Sequence, residues 1–317
     1  MIYKHEIVPF NEFWLDCDTQ MLFSILISVD KKYLPLTYRN DYEYILLNAN
    51  TKSGRPFYEL RVLPDIFDLR NALFEYKEQC KIKDITRNIN RIKEYLIQGF
   101  MVLVGVDLYE WIEKNMCYHN HHVEHYAFLN GYDDIKNVFY TMETDNESYK
   151  EFEIKEEQLV EAMSLMCTLK YSFIAFSVNP KLELEELYQT SILKKNAKCI
   201  YKSIKPLLKN QYWIFEPEDY KTLFYRDMTV MYLMQINCRA KANRLLFEYL
   251  YNEKGLDREY AIIADELEKG WIDVRRSISK LYFKEDAIAR MREQNVLINS
   301  LLIKEQRLWK QFVKENF

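Results

Sequence analysis

The sequence predicts an α+β protein in two parts: a mixed domain over residues 1–180 and an all-helical domain over 181–317. Three observations lead there. Helical and strand-length apolar segments alternate before Pro180, and only helical spacing follows it. Four of six glycines and five of seven prolines lie at or before residue 180. Charge divides at the same place, with 19 Lys+Arg against 28 Asp+Glu up to residue 180 and 25 against 20 beyond it. Glycine and proline together run at about a third of average usage, while 49% of residues are hydrophobic, which excludes collagen-like and disordered classes. No two glycines form a G-x-G or G-x-x-x-x-G-K frame, which argues against a phosphate loop.

The elements follow in order. Asp18–Val29 reads as a helix opening directly after Cys17. Tyr44–Leu47 and Phe57–Leu63 read as strands, with Thr51–Pro56 as the turn between them. A helix over Asp84–Gln98 has Asp84 as N-cap and Gly99 at its end. Phe100–Val106 is an uninterrupted apolar run of strand length, the pattern of a buried strand. After a polar insertion come strands at Tyr126–Asn130 and Asn137–Met142 around a Gly131–Asp134 turn. An Asp145–Ser148 turn, a strand at Tyr149–Ile154, a helix at 156–168 and a strand at Tyr171–Val178 complete the first domain. Helices near 184–209, 218–253, 257–281 and 284–315 make up the second.

The N-terminus lacks the apolar stretch of a signal peptide, and no run of 18 apolar residues occurs, so no membrane partner is expected. The six cysteines are scattered without a C-x-x-C pair, the pattern of free thiols in a cytoplasmic protein. A net charge of −4 argues against general nucleic-acid binding.

Four of the five histidines, His119, His121, His122 and His125, fall within seven residues. His121-His122-Val123-Glu124-His125 spells an inverted zinc-protease motif, but that motif needs a helix and the flanks oppose one. On a strand, His121 and His125 would stand about 13 Å apart, too far for one ion, so no metal is expected. A solvated loop accounts for His119, His121 and His122. His125 heads an apolar strand, and Cys17 opens an apolar helix, where the helix dipole and free N–H groups favour a thiolate. A histidine beside such a thiol forms the thiolate–imidazolium pair of cysteine nucleophiles, and a carboxylate on the next strand would orient the ring. Glu143 and Asp145 lie 18 and 20 residues after His125 and share a face if the strand continues. Cys17 alone also fits a small buried apolar residue.

Asn11-Glu-Phe-Trp-Leu-Asp-Cys17 and the helix after it resemble the nucleophile segment of papain-like cysteine enzymes. Ile92–Gly99, Phe100–Asp107 and His125-Tyr-Ala-Phe-Leu-Asn-Gly131-Tyr-Asp-Asp134 resemble the N-terminal domain of the butirosin-biosynthesis acyltransferase family. The same catalytic layout occurs in bacteriocin-processing peptidases and in thiotemplated peptide assembly of the closthioamide type. The resemblance spans about residues 5–180 and implies a papain-like fold and covalent acyl transfer. Cys17 would attack an acyl thioester on a carrier protein's phosphopantetheine arm, His125 would serve as base and then acid, and an amine would accept the acyl group. No bound cofactor is implied, because phosphopantetheine arrives with the acyl or peptidyl carrier protein. Asn11 stands where peptidases place the glutamine whose amide completes the oxyanion hole, one methylene shorter. Alignment of the hairpin favours Glu143 as the orienting carboxylate, although the family's residue type is that of Asp145. Asp107 ends a buried strand, where it either lines the substrate pocket or caps the strand. The rival readings are a cysteine peptidase or amide hydrolase, and a catalytically inactive module that binds a carrier protein.

Lys195, Lys198, Lys202, Lys205 and Lys209 recur at three and four residues, on one side of a helix, with no acid between Lys194 and Lys209. This is either a solvated face or a docking face for an acidic carrier protein, and Pro206 is expected to bend or end the helix.

Overall fold

A computed structural model describes residues 1–13, 17–47, 57–62, 65–81, 84–113, 115, 117–145, 148–179, 190–209, 223–281 and 287–317. In chain order these form β1 (Ile2–Lys4), α1 (Cys17–Val29), β2 (Tyr42–Leu47), β3 (Phe57–Val62), α2 (Asp65–Leu73), β4 (Phe74–Cys80), α3 (Ile85–Ile97) and β5 (Met101–Asp107). Then come β6 (Glu124–Asp133), β7 (Val138–Thr144), β8 (Tyr149–Lys155), α4 (Glu156–Ser164), β9 (Phe173–Val178), α5 (Thr190–Lys209), α6 (Leu223–Lys254), α7 (Arg258–Leu281) and α8 (Ala287–Asn316). The chain is α+β. Among the described residues, no helix is long and apolar enough to cross a membrane.

Chain contacts divide the molecule into two compact units, residues 1–34 with 69–182, and residues 35–68 with 183–317. A single cut near residue 180 therefore differs from the observed division, because 35–68 belongs with the later helices. The 51–56 turn, the boundary residues at 180–189, and the expected helix starts at 184–189, 218–222 and 284–286 lie outside the described residues.

The first unit is built on a seven-stranded antiparallel sheet in the order β4-β9-β5-β6-β7-β8, with β1 added to β6. All seven residues of β5 are buried, as its continuous apolar run requires of a central strand. Ile89, Ile92 and Leu96 of α3 and Leu159, Ala162 and Met163 of α4 bury their apolar sides in one core with Val102, Val104, Ala127, Leu129 and Phe139 of the sheet. Each fully buried aliphatic or aromatic side chain there contributes about 1.5–3 kcal/mol. The Asp84 carboxylate accepts from the Arg87 N–H at 3.0 Å and caps α3, and Gly99 follows in the left-handed region at φ 85°.

The expected turn at Gly131–Asp134 is displaced. β6 runs on to Asp133, and the chain reverses at 134–137 with Asn137 at φ 55°. Gly131 serves close packing instead. It pairs with Lys4 of β1, and a Cβ there would lie 2.7 Å from the Tyr3 carbonyl oxygen.

The second unit is not all-helical. The antiparallel β2–β3 hairpin belongs to it, and Tyr42 and Tyr44 of β2 donate to the two oxygens of the buried Glu305 carboxyl at 2.7 and 2.8 Å. The Asn243 amide donates to the Tyr42 hydroxyl at 2.7 Å, and that of Asn196 to Asp41 at 2.6 Å. These polar side chains on 41–44 explain the grouping: in an apolar interior they hold the hairpin to α5, α6 and α8 by bonds that water cannot replace. Helix α5 also runs through Pro206 to Lys209. Pro206 is exposed in the last turn, where water can reach the carbonyl that loses its partner.

Candidate active site

Cys17 is the first residue of α1 and half-buried. One turn on, Gln20 is buried and fixes the helix at both ends of its amide. Its Nε2 donates to the Phe10 carbonyl at 3.2 Å, and its Oε1 accepts from Thr144 Oγ1 at 3.2 Å. Ser24 accepts from the Phe10 N–H at 2.9 Å. Phe10 is thus held against α1, and the first turn of α1 is tied to the end of β7.

His125 is the second residue of β6, opposite Val106 of β5. Glu143 of β7 is its same-face diagonal neighbour: the Phe128–Met142 pairing, if continued, sets residue 125 opposite 145. Glu143 is 3% exposed, and its Oε2 lies 3.3 Å from His125 Nε2. The same oxygen accepts from Trp111 Nε1 at 3.2 Å, while Oε1 accepts from the Thr144 N–H at 2.9 Å. Trp111 is fully buried and its carbonyl accepts from Gln158 of α4. Burial pulls the His125 pKa down, but the charge and hydrogen bond of Glu143, joined by the charge of Asp18, hold it above the ordinary histidine value. Asp18 adjoins Cys17, so its charge reaches His125 from the first turn of α1. Tyr149 opens β8 opposite Thr144. Burial, then the charges of Glu143, Cys17 and Asp18, push its phenol well above its ordinary pKa. The structure therefore pairs His125 directly with Glu143, and the charge of Asp18, next to Cys17, acts on the same ring.

Other residues singled out from the sequence have different places. Asp145 is 5% exposed, accepts from the Ser148 N–H at 2.9 Å and pairs with Lys150 at 2.5 Å, so it organises the β7–β8 turn while Glu143 takes the histidine. Asn11 does not present its amide in the manner of the peptidase glutamine. Its Nδ2 donates to the Tyr149 carbonyl at 3.0 Å and its Oδ1 accepts from the Tyr149 N–H at 2.9 Å, which clips the N-terminal segment to β8. A side chain with one methylene fewer is held at the strand backbone. Asp107 acts as a cap. Its Oδ1 accepts from the N–H groups of Tyr109 and Val123 at 3.0 and 3.1 Å, and its Oδ2 lies 3.0 Å from His122 Nδ1.

The histidine loop is exposed but ordered by pairing. His119 meets Glu110 at 3.1 Å, and Tyr109 stacks on His122 with ring centres 4.3 Å apart. Among the described residues, no group of three or more His, Cys, Asp or Glu is placed to hold a metal ion. Glu124, beside His125, receives N–H bonds from Cys167, Thr168 and Leu169 and a hydroxyl bond from Thr168. Burial opposes its ionisation, yet these bonds, led by that of the Thr168 hydroxyl, hold its pKa at about 2. Lys195, Lys202, Lys205 and Lys209 are exposed and Lys198 half-exposed on α5, whose other side buries Leu193, Ala197, Ile200, Ile204 and Leu207.

Gln20, Trp111, Thr144 and Tyr149 are the residues that sequence reasoning missed. Gln20 follows Cys17 by three, a spacing that sets both on one side of a helix. The others carry no local signal. No protein-family model matches the chain, and no curated protein matches it.

Proposed function

We propose that the protein is a cysteine-dependent acyltransferase of papain-like design that forms amides from carrier-bound acyl thioesters. The observation that carries this reading is the pairing of part-buried His125 with the buried Glu143 carboxylate, 3.3 Å apart, with the charge of Asp18, next to Cys17, acting on the same ring. An imidazole oriented through Nε2 keeps Nδ1 for the thiol proton, and a protonated ring stabilises a thiolate in a site where water competes poorly. The Cys17 thiolate adds to the thioester carbonyl, the carrier's phosphopantetheine thiol leaves and takes the proton from His125, and acyl-Cys17 results. An amine then adds to the acyl carbon and gives a proton to His125, the amide leaves, and the Cys17 thiol is restored. The lysine row on α5 is proposed to dock an acidic carrier protein, where opposite charge speeds association. The specialised metabolism of peptide-like products and the cytoplasm are the setting this reading implies.

The test is intact-mass detection of the acyl group on Cys17 after incubation with an acyl carrier-protein thioester, followed by its transfer to an added amine. A chain that takes no acyl group, or takes it equally after Cys17→Ala, refutes the proposal. Release of the acyl group to water, with no amide formed, assigns the site to hydrolysis.

A further inference from the structure

The Glu143 carboxylate is held at both of its oxygens. Oε1 accepts from the Thr144 N–H at 2.9 Å. Oε2 lies 3.3 Å from His125 Nε2 and accepts from Trp111 Nε1 at 3.2 Å. Among the described residues, Glu143 is the acceptor that the indole N–H has. An indole N–H only donates, whereas an amide or a hydroxyl can turn and present a lone pair. One lone pair of Oε2 is thus taken by a donor that cannot reverse, and the other is left for a proton on His125 Nε2. Nδ1 of the same ring is then the acceptor. Trp111 is itself fixed. It is fully buried and packs in one core with Leu159 and Ala162 of α4. Its carbonyl accepts from Gln158 of α4, and its N–H bonds the Leu108 carbonyl at 3.4 Å. The single 3-10 turn before it, Leu108–Glu110, is capped by Asp107, whose Oδ1 accepts from the N–H groups of Tyr109 and Val123. That ties the turn to the residues that lead into β6 and His125.

A glutamate reaches its partner through several rotatable bonds, and a bond to the ring alone leaves the carboxylate free to turn about the last of them. Thr144 and Trp111 hold one oxygen each and remove that freedom. We infer that Trp111 is a positioning residue of the site: its indole N–H aims the Glu143 carboxylate at His125, and α4 holds the indole through Gln158. This deepens the acyl-Cys17 reading above and rests on it. The effect of Trp111 reaches Cys17 only through the ring. A carboxylate that turns away leaves an imidazole with its proton on either nitrogen, and only the form protonated at Nε2 offers Nδ1 to the thiol. The indole also supplies one of the donors that a buried carboxylate needs in order to stay charged.

The test has two arms, both on the full chain. The first follows the indole N–H signals by NMR, with that of Trp111 identified by sequential assignment. Trp111 and His125 share one oxygen, so this signal should move as His125 titrates. The movement should vanish in His125→Gln, which leaves His119 and His122 to titrate. A Trp111 signal that stays still while His125 titrates overturns the inference. The second arm replaces Trp111 with 3-benzothienylalanine, which keeps the bicyclic ring and puts sulfur in place of the N–H. Acylation of Cys17 by an acyl N-acetylcysteamine thioester is followed by intact mass. Its maximal rate should fall about tenfold, the scale of one hydrogen bond to a charged group, with the half-saturating thioester concentration unchanged. A maximal rate within about threefold of the unaltered chain overturns the inference. So does a loss that lies wholly in the half-saturating concentration, which would make Trp111 a substrate contact. If the variant does not fold, the indole signal decides alone. An unaltered chain that takes no acyl group refutes the acyl-transfer reading instead, and the indole signal still reports on Trp111 and Glu143 separately.

Discussion

Replacing Glu143 with glutamine tests the heart of the site. The substitution preserves size and an acceptor for the Thr144 N–H, and removes the charge 3.3 Å from His125 Nε2. Two unit charges about 4 Å apart at an effective dielectric near 20 interact by about 4 kcal/mol. Burial of the ring already offsets part of this. Without Glu143, burial is opposed only by the charge of Asp18, and the His125 pKa falls. The expected consequence falls on Cys17. Its alkylation by iodoacetamide, followed from pH 5 to 9, should have a midpoint well below that of an ordinary thiol in the unaltered chain. Glu143→Gln should move the midpoint up and slow labelling at pH 6 about 10-fold or more. Cys167, exposed and in the same chain, is the internal standard. A midpoint that does not move, or Cys17 labelling no faster than Cys167 in the unaltered chain, refutes the reasoning.

Further outcomes follow from the same structure. Glu124 is held at about 2, below its unfolded value, so its contribution to stability is present above pH 4.5 and lost as pH falls through 2. Solvent screening leaves about 1 kcal/mol of it, and Glu124→Gln should remove part of the fall in stability between pH 6 and 3. The His125 pair has the opposite sign, because its folded pKa is raised. Its contribution is complete below pH 6.5 and is lost as pH rises through the folded value, and Glu143→Gln should remove that decline from the melting curve. Gly131→Ala forces a methyl against the Tyr3 carbonyl and should cost about 1–3 kcal/mol in urea unfolding, chiefly by freeing β1. Charge reversal at Lys198 and Lys202 together should raise KM for a carrier-bound thioester and leave a small thioester mimic unchanged; equal effects on both would remove the docking face from the proposal.

The parts of the fold legible in the sequence are those where one face of an element faces one environment. β5 reads directly because every residue of Met101–Asp107 is buried, and α3 because its cap and its apolar spacing agree. β4 was not legible. Phe74 to Cys80 carries Glu75, Lys77, Glu78 and Gln79, and it is a strand because β9 pairs with it at the sheet's end, where its side chains stay partly in water. The Gly131 turn was misplaced because glycine signals both a reversal and a close approach. The Asn137 backbone at φ 55° makes the reversal, and the β1 strand that crowds Gly131 is 127 residues away in sequence, at Lys4. The membership of 35–68 was equally hidden, since the bonds that decide it join Tyr42 and Tyr44 to Glu305.

The site divides along the same line. Cys17 and His125 are legible because each opens an element whose pattern is local, and the choice between Glu143 and Asp145 becomes physical only when the register is known. A carboxylate two residues further along the same face meets a turn instead of a ring. Asp145 is thereby committed to Ser148 and Lys150 before it can reach the histidine. Asn11 shows the deeper limit. Offset from a cysteine identifies a residue that precedes the nucleophile, but a side chain's role depends on which group it bonds, and Asn11 bonds a peptide 138 residues away. Replacing Asn11 with alanine removes both bonds to the Tyr149 peptide and should lower the melting temperature by loosening the N-terminal segment from β8; a melting temperature equal to that of the unaltered chain would show that the clip is not needed.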